Sequence, residues 1–353
     1  MEKERIPYID VAKGLLILIV LLHHMPHVVR ILGVTDSFYQ GVDDCAFLYS
    51  TYFMPAFFLI TGYCSRQTRE LNVRNLVIKN LKTIILPAFT LGLVCSCIGL
   101  AGMVYKQGVG VLPIEFAKAV YHNVGSIVKN GGNYWFLSAL FVAKIMHSII
   151  YHNVIKISIG GGEKIILFAI YLTLVALGYL MFSLNMKEHW AIWHAFLLCI
   201  FLYCGQLLRE SGISKRISVV SITTFVVIIL FYVVILNSIA LPRVTMKIVI
   251  DTWYEVPVFL ILSFTGSVMI LTISRLIYEN RYLQYWGRNS LTLYCLHVAI
   301  LFKLYKIVLP YIGFNVIISI MTYIGVFFAT QLIIYIFNRI LNLPYLRYSI
   351  GKF

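Results

Sequence analysis

Along this chain, runs of about 20 apolar residues recur between short polar stretches, and a run of that length is what an α-helix needs to cross the hydrocarbon of a bilayer. The pattern predicts ten such helices, at 12–30, 45–64, 83–104, 134–155, 165–183, 191–208, 217–237, 256–277, 290–308 and 315–337. The expected fold class is therefore all-α, a polytopic transmembrane helical bundle forming a single integral membrane domain over 1–353, with both termini on one side because the count is even. The longest connection, 105–133, is helical in period from Glu115 to Val120 and ends in Asn130, Gly131, Gly132 and Asn133. It reads as a short interfacial or re-entrant helix followed by a turn. No internal repeat is evident.

Composition removes the soluble alternatives. With 60% hydrophobic and 12% charged residues, the chain cannot cover a soluble globule with polar surface. A net charge of +15 would suit a nucleic-acid binder, but its distribution does not. Of the 29 Lys and Arg, 19 fall in the N-terminal segment, in loops 65–82, 156–164, 209–216 and 275–288, and in the tail from 338, against 7 in the alternating connections. That excess predicts cytoplasmic termini. The opposite loops carry Asp36, Asp43, Asp44, Glu115, Glu188, Asp251 and Glu255. The seven cysteines show no CxxC spacing and read as small core residues. The first run, Gly14 to Leu22, lacks a following small-x-small cleavage site and is expected to be a retained helix. Gly160 to Gly162 lack the ending of a phosphate loop and read as an inner turn.

Few polar residues remain to carry chemistry. Lys13 and His24 lie eleven residues apart, three helical turns, so they share a face at a separation of about 16 Å. An ionisable side chain at the depth of His24 is a functional candidate, against the alternative of a histidine satisfied by a neighbouring carbonyl. His23 points about 100° away and reads as structural. His23, His24 and His27 have no carboxylate or cysteine nearby in sequence, so no metal site is expected. The basic run Arg66, Arg69, Arg74, Lys79 and Lys82 fits either lipid headgroups or a phosphate-rich ligand such as coenzyme A. Ser290, Tyr294 and His297 share one helical face, which suits a polar cavity or an interhelical hydrogen-bond seam equally. His189 and His194 flank Trp190 and Trp193 as an aromatic anchor at a span's end.

Taken in order, these segments form a pattern. Asp10-x-x-Lys13-Gly14 with His24 downstream resembles the Arg/Lys-x10-His motif of the acyltransferase 3 family of integral membrane acyltransferases. Phe57-Phe58-Leu59-Ile60-Thr61-Gly62-Tyr63 is similar to that family's FFxxSG(F/Y), and Trp135-Phe136-Leu137 to its WFL opening. Gly287-Arg288-Asn289-Ser290 through Tyr294 to His297 is similar to its GxxS…Y..H, and Lys79-x-x-Lys82 before Pro87 stands where the family has basic residues. The resemblance runs from Arg5 to about Ile300 and looks closest to the compact, single-domain bacterial branch of fucose 4-O-acetylase-like sequences. This chain departs by having Phe53 where many of that branch have a His, and Lys where Arg is usual at the inner basic pair.

The resemblance implies an O-acyltransferase of the bacterial cytoplasmic membrane, moving an acyl group, most simply acetyl, from cytoplasmic acetyl-CoA to a hydroxyl of a cell-envelope saccharide or lipid-linked glycan. His24 would be catalytic with Lys13 beside it in the motif. Asp10, Arg66, Arg69, Lys79, Lys82, Trp135, Ser290, Tyr294 and His297 are the expected substrate-binding set. Acyl-CoA is the expected donor, with membrane lipid as surroundings and neither metal nor nucleic acid required. His24 would act as general base in direct transfer or as an acyl carrier, and the residues do not choose between these. A permease or flippase, or a membrane sensing module, are the rival readings.

Overall fold

The computed structural model describes residues 6–65, 72–108, 110, 112–128, 134–157, 162–187, 189–212, 222–228, 230, 253–312 and 315–351. Regular structure among them is helical: α1 (Pro7–Ile31), α2 (Ser37–Asp44), α3 (Phe47–Ser50), α4 (Phe53–Cys64), α5 (Val73–Asn80), a π-helical turn at Leu81–Ile85, α6 (Leu86–Gln107), α7 (Leu112–Val128), α8 (Trp135–Ile157), α9 (Glu163–Ser183), α10 (Ile192–Glu210), α11 (Glu255–Leu276), α12 (Arg281–Arg288), α13 (Ser290–Val308) and α14 (Val316–Leu341). The all-α transmembrane reading holds. Eight helices among the described residues are long and apolar enough to cross a membrane: α1, the continuous Val73–Cys97, α8, α9, α10, α11, Ser290–Tyr311 and α14.

One of the ten expected spans looks different, and another cannot be followed along its length. The one expected at 45–64 is interrupted: α3 stops at Ser50, and α4 resumes at Phe53 with only 12 residues. Pro55 explains the break, because it lacks the N–H that would bond the carbonyl of Thr51 one turn back. Ser263 Oγ of α11 donates to that carbonyl instead, at 2.7 Å. The span expected at 217–237 lies mostly outside the described residues. The connection at 105–133 contains the helix expected there, α7, which at 17 residues is longer than the helical period from Glu115 to Val120 suggests.

The chain divides into two compact units. The first comprises Met1–Arg66, Ile200–Tyr294 and Ile300–Gln331, and the second comprises Gln67–Cys199, Cys295–Ala299 and Leu332–Phe353. In the first, α1 packs most extensively against α12. The two backbones nearly touch: a Cβ on Gly14 would lie 2.0 Å from Leu283 O, and one on Gly287 would lie 1.8 Å from Asp10 O. Glycine is what lets helices approach this closely where lipid supplies little hydrophobic drive. Gly62 of α4 and Gly205 of α10 make a second such pair, each against the other helix's backbone.

In the second unit the helices are stitched by side chains. Asn123 Nδ2 donates to Phe89 O at 2.6 Å, Ser138 Oγ to Ile127 O at 2.6 Å, and the His147 imidazole meets the Tyr171 hydroxyl at 2.7 Å. Buried polar groups in a membrane need such partners. Ile165, Phe168 and Leu172 on α9, and Ile317, Met321, Ile324 and Phe328 on α14, are exposed at helical spacing. Apolar stripes of this kind suit contact with lipid tails.

Candidate functional site

The site is built around a proline in α1. Pro26 cannot donate to Leu22 O, one turn earlier, so α1 carries a freed carbonyl just before His23 and His24. Tyr323 reaches from α14 and donates its hydroxyl to Leu22 O at 3.0 Å. His24 itself bonds through Nδ1 to Val20 O at 2.9 Å. A carbonyl can only accept, so Nδ1 carries the proton in the neutral ring and Nε2 is the basic nitrogen.

Aromatic rings gather at this turn. The His23 ring lies edge-on to His24 with centroids 5.3 Å apart, and 5.8 Å from Tyr49 and 5.5 Å from Phe53. Tyr39 stands 5.9 Å from both Tyr305 and Tyr323. Three polar atoms here are buried with no hydrogen-bond partner among the described residues: His23 Nδ1, Tyr39 Oη and Tyr305 Oη. The two phenols lie close enough to interact without completing a hydrogen bond of ordinary geometry. Burial, with Asp36 nearby, pushes the Tyr39 phenol up to about 12. Burial and Asp43 do the same for Tyr49, so both stay protonated donors at neutral pH. Asp36 caps α2 by accepting from Phe38 N and Tyr39 N, and also accepts from Ser319 Oγ at 2.9 Å. Asp43 is held by Arg30, whose guanidinium also meets His27 Nδ1 at 2.8 Å.

At the opposite end of α1, Asp10 pairs with Arg288 at 3.2 Å across the contact with α12. The first and last sequence motifs are thereby one structural joint. Lys13 is half-buried one turn further along, with no hydrogen-bond or ion-pair partner among the described residues. Tyr8 shares its hydroxyl with Tyr63 at 2.8 Å and lies under the Arg275 guanidinium, 4.8 Å from the ring centre. Arg209 grips Ser65 O at 3.1 Å.

The remaining expected residues lie on other elements. Lys79 and Lys82 are exposed on α5 and the π-helical turn of the second unit. Arg66 and Arg69 lie outside the described residues. Trp135 opens α8 and packs on His194 with centroids 4.7 Å apart. Ser290 opens α13, and Tyr294 and His297 follow on that helix, both buried.

The family model of an acyltransferase domain, acyltransferase 3, matches residues 6–339. The chain belongs to the acyltransferase 3 family. Neither the curated proteins nor the solved structures contain a match to it. As an acyltransferase 3 protein whose helices can cross a membrane, it is a membrane acyltransferase. The matched region contains both ends of α1 and the α12–α13 joint. Sequence reasoning passed over Tyr39, Tyr49, Tyr305 and Tyr323, although Pro26 inside an apolar helix was a signal that some hydroxyl must reach Leu22 O. It also passed over Arg288 as a partner for Asp10, two residues of opposite sign in separate motifs.

Proposed function

We propose that this membrane acyltransferase moves an acyl group, acetyl in the simplest case, from cytoplasmic acyl-CoA to a hydroxyl of a cell-envelope saccharide or lipid-linked glycan, with His24 as the general base. The observation that carries this is the bond from His24 Nδ1 to Val20 O, which orients the ring and makes Nε2 its proton acceptor.

In the reaction, Nε2 takes the proton of the acceptor hydroxyl as that oxygen attacks the thioester carbonyl. The tetrahedral adduct collapses with cleavage of the carbon–sulfur bond, and the imidazolium returns its proton to the departing coenzyme A sulfur. The product is an ester, and His24 ends neutral. Lys13, half-buried three turns from His24, supplies positive charge toward the donor's end of the helix. Lys79 and Lys82, with Arg66 and Arg69, offer cations for the coenzyme A phosphates, and the positive-inside bias that supports cytoplasmic termini puts them on the donor's side. The motifs favour the bacterial fucose 4-O-acetylase-like branch and thus a cytoplasmic-membrane location.

The test is consumption of acetyl-CoA by the purified protein with a cell-envelope glycan extract, wild type against His24→Gln. Turnover lost with retained folding supports the assignment, and turnover unchanged in the variant overturns it.

A further inference from the structure

The span that begins at Val73 is not α-helical throughout. Between α5 and α6 it widens into the π-helical turn Leu81–Ile85, where Leu86 N donates five residues back to Leu81 O. Pro87 follows at once, and without an N–H it can complete neither the carbonyl of Thr83 nor that of Lys82. Such turns are rare inside helices, and one that persists calls for support from outside its own hydrogen bonds. Its register matters, because a π turn holds one residue more than an α turn, and its loss would swing α5 by about 100° relative to α6. Lys79 stands on α5 and Lys82 within the turn, both exposed.

The support comes from the segment after α14. Arg347–Ile350 forms a 3₁₀ turn, which Gly351 ends in the left-handed conformation at φ 73°, its N–H directed back to Arg347 O and Tyr348 O. This turn packs on α6, and Ile350 is buried. A Cβ on Gly351 would lie 3.1 Å from Pro87 Cγ, 3.2 Å from Thr83 Cα and 3.3 Å from Lys82 O. Those are the proline itself and the two residues whose carbonyls it cannot complete. Glycine meets both demands at once, the positive φ and the close approach. Both pieces belong to the second unit. The family match ends at residue 339, so one side of this contact lies outside the matched region.

We propose that Arg347–Gly351 is a strap that fixes the register of the π-helical turn, and that Ile350 and Gly351 are positioning residues for the cations Lys79 and Lys82. The role of those cations rests on the reading that they face the acyl-CoA donor. The strap acts through the backbone it presses upon.

The experiment is hydrogen exchange on the full-length protein in nanodiscs, comparing wild type with Gly351→Val, Ile350→Asp and the conservative Ile350→Val. Amides of 79–86 should exchange about tenfold or more faster in the first two variants, while α8 and α9 stay as in wild type and Ile350→Val restores wild-type exchange. Unchanged exchange at 79–86 in the folded variants would overturn the proposal. An equal rise throughout α8 and α9 would overturn it too, because it marks general destabilisation. Turnover then reads the positioning. Gly351→Val and Ile350→Asp should raise the KM for acetyl-CoA about fivefold and leave the KM for the glycan extract unchanged. A wild-type KM for acetyl-CoA in these two, with a raised one in Lys79→Gln and Lys82→Gln, sinks the positioning role. A loosened turn with a KM for acetyl-CoA that none of the four variants changes keeps the strap and sinks the donor reading of the lysines. Absence of thioester turnover in wild type sinks acyl transfer, and the exchange result alone then decides the strap.

Discussion

The two ends of α1 are secured in opposite ways. Near Asp10 and Gly14 the helix is fixed by backbone contact: two glycines let α1 and α12 approach until no side chain fits between, and Asp10 and Arg288 close the joint. Near His24 the backbone itself is incomplete. Pro26 removes a helical hydrogen bond, a tyrosine from another helix replaces it, and three polar atoms stay buried without partners. Tight packing tolerates no change in volume, whereas an unsatisfied polar cluster is held in place by its surroundings and retains capacity to bind. One helix thus carries a rigid foot and a polar tip. Residues at the foot should report on stability and residues at the tip on turnover.

The largest effect should come from the tip. His24→Ala should reduce thioester turnover by about 10²–10⁴-fold, the range over which a positioned base acts, with little change in melting temperature. Equal turnover in a folded variant would remove the chemistry from this end of α1. The complementary change lies at the foot. Gly14→Val or Gly287→Val places carbon where a carbonyl already stands, and overpacking of this kind costs about 1–3 kcal/mol or more. Detergent melting should show a clear drop for both, and an unchanged melt would mean the helices can part at no cost. An intermediate effect belongs to Tyr323→Phe. It leaves Leu22 O without its donor and should cost about 1 kcal/mol, read in the same melt.

Apolar run length alone was enough to read helical spans in the sequence, because bilayer thickness is a single number that composition either meets or misses. Its failure at 45–64 is instructive. Pro55 was visible, yet whether it ends a helix depends on a distant hydroxyl accepting the duty of the lost N–H, and Ser263 is more than two hundred residues away. The same holds at Pro26 and Tyr323. That Lys13 and His24 stand three turns apart on one helix was legible, because α1 has a fixed rise per residue. The tyrosines were not, since Tyr39, Tyr305 and Tyr323 come from three helices and only folding brings them to one turn. Gly62 and Gly287 appeared in the sequence as motif letters, and the structure gives them a physical task as points of close helix approach.

The smallest expected effect tests whether Asp10 belongs wholly to the foot. Its partner Arg288 is 46% exposed at the side chain, and a pair so open to solvent is screened, leaving about 0.2–1 kcal/mol in a double-mutant cycle of Asp10→Asn with Arg288→Gln. A purely structural pair predicts that each single variant lowers the melting temperature slightly, that the double variant is no worse than either, and that turnover follows stability. The motif reading predicts another result, in which Asp10→Asn depresses turnover far more than Arg288→Gln at equal stability. That outcome would return Asp10 to the donor's end of the site beside Lys13 and give the foot of α1 a chemical role. Equivalent, small losses in both would confine the chemistry to the His24 end, where Pro26 leaves the helix least complete.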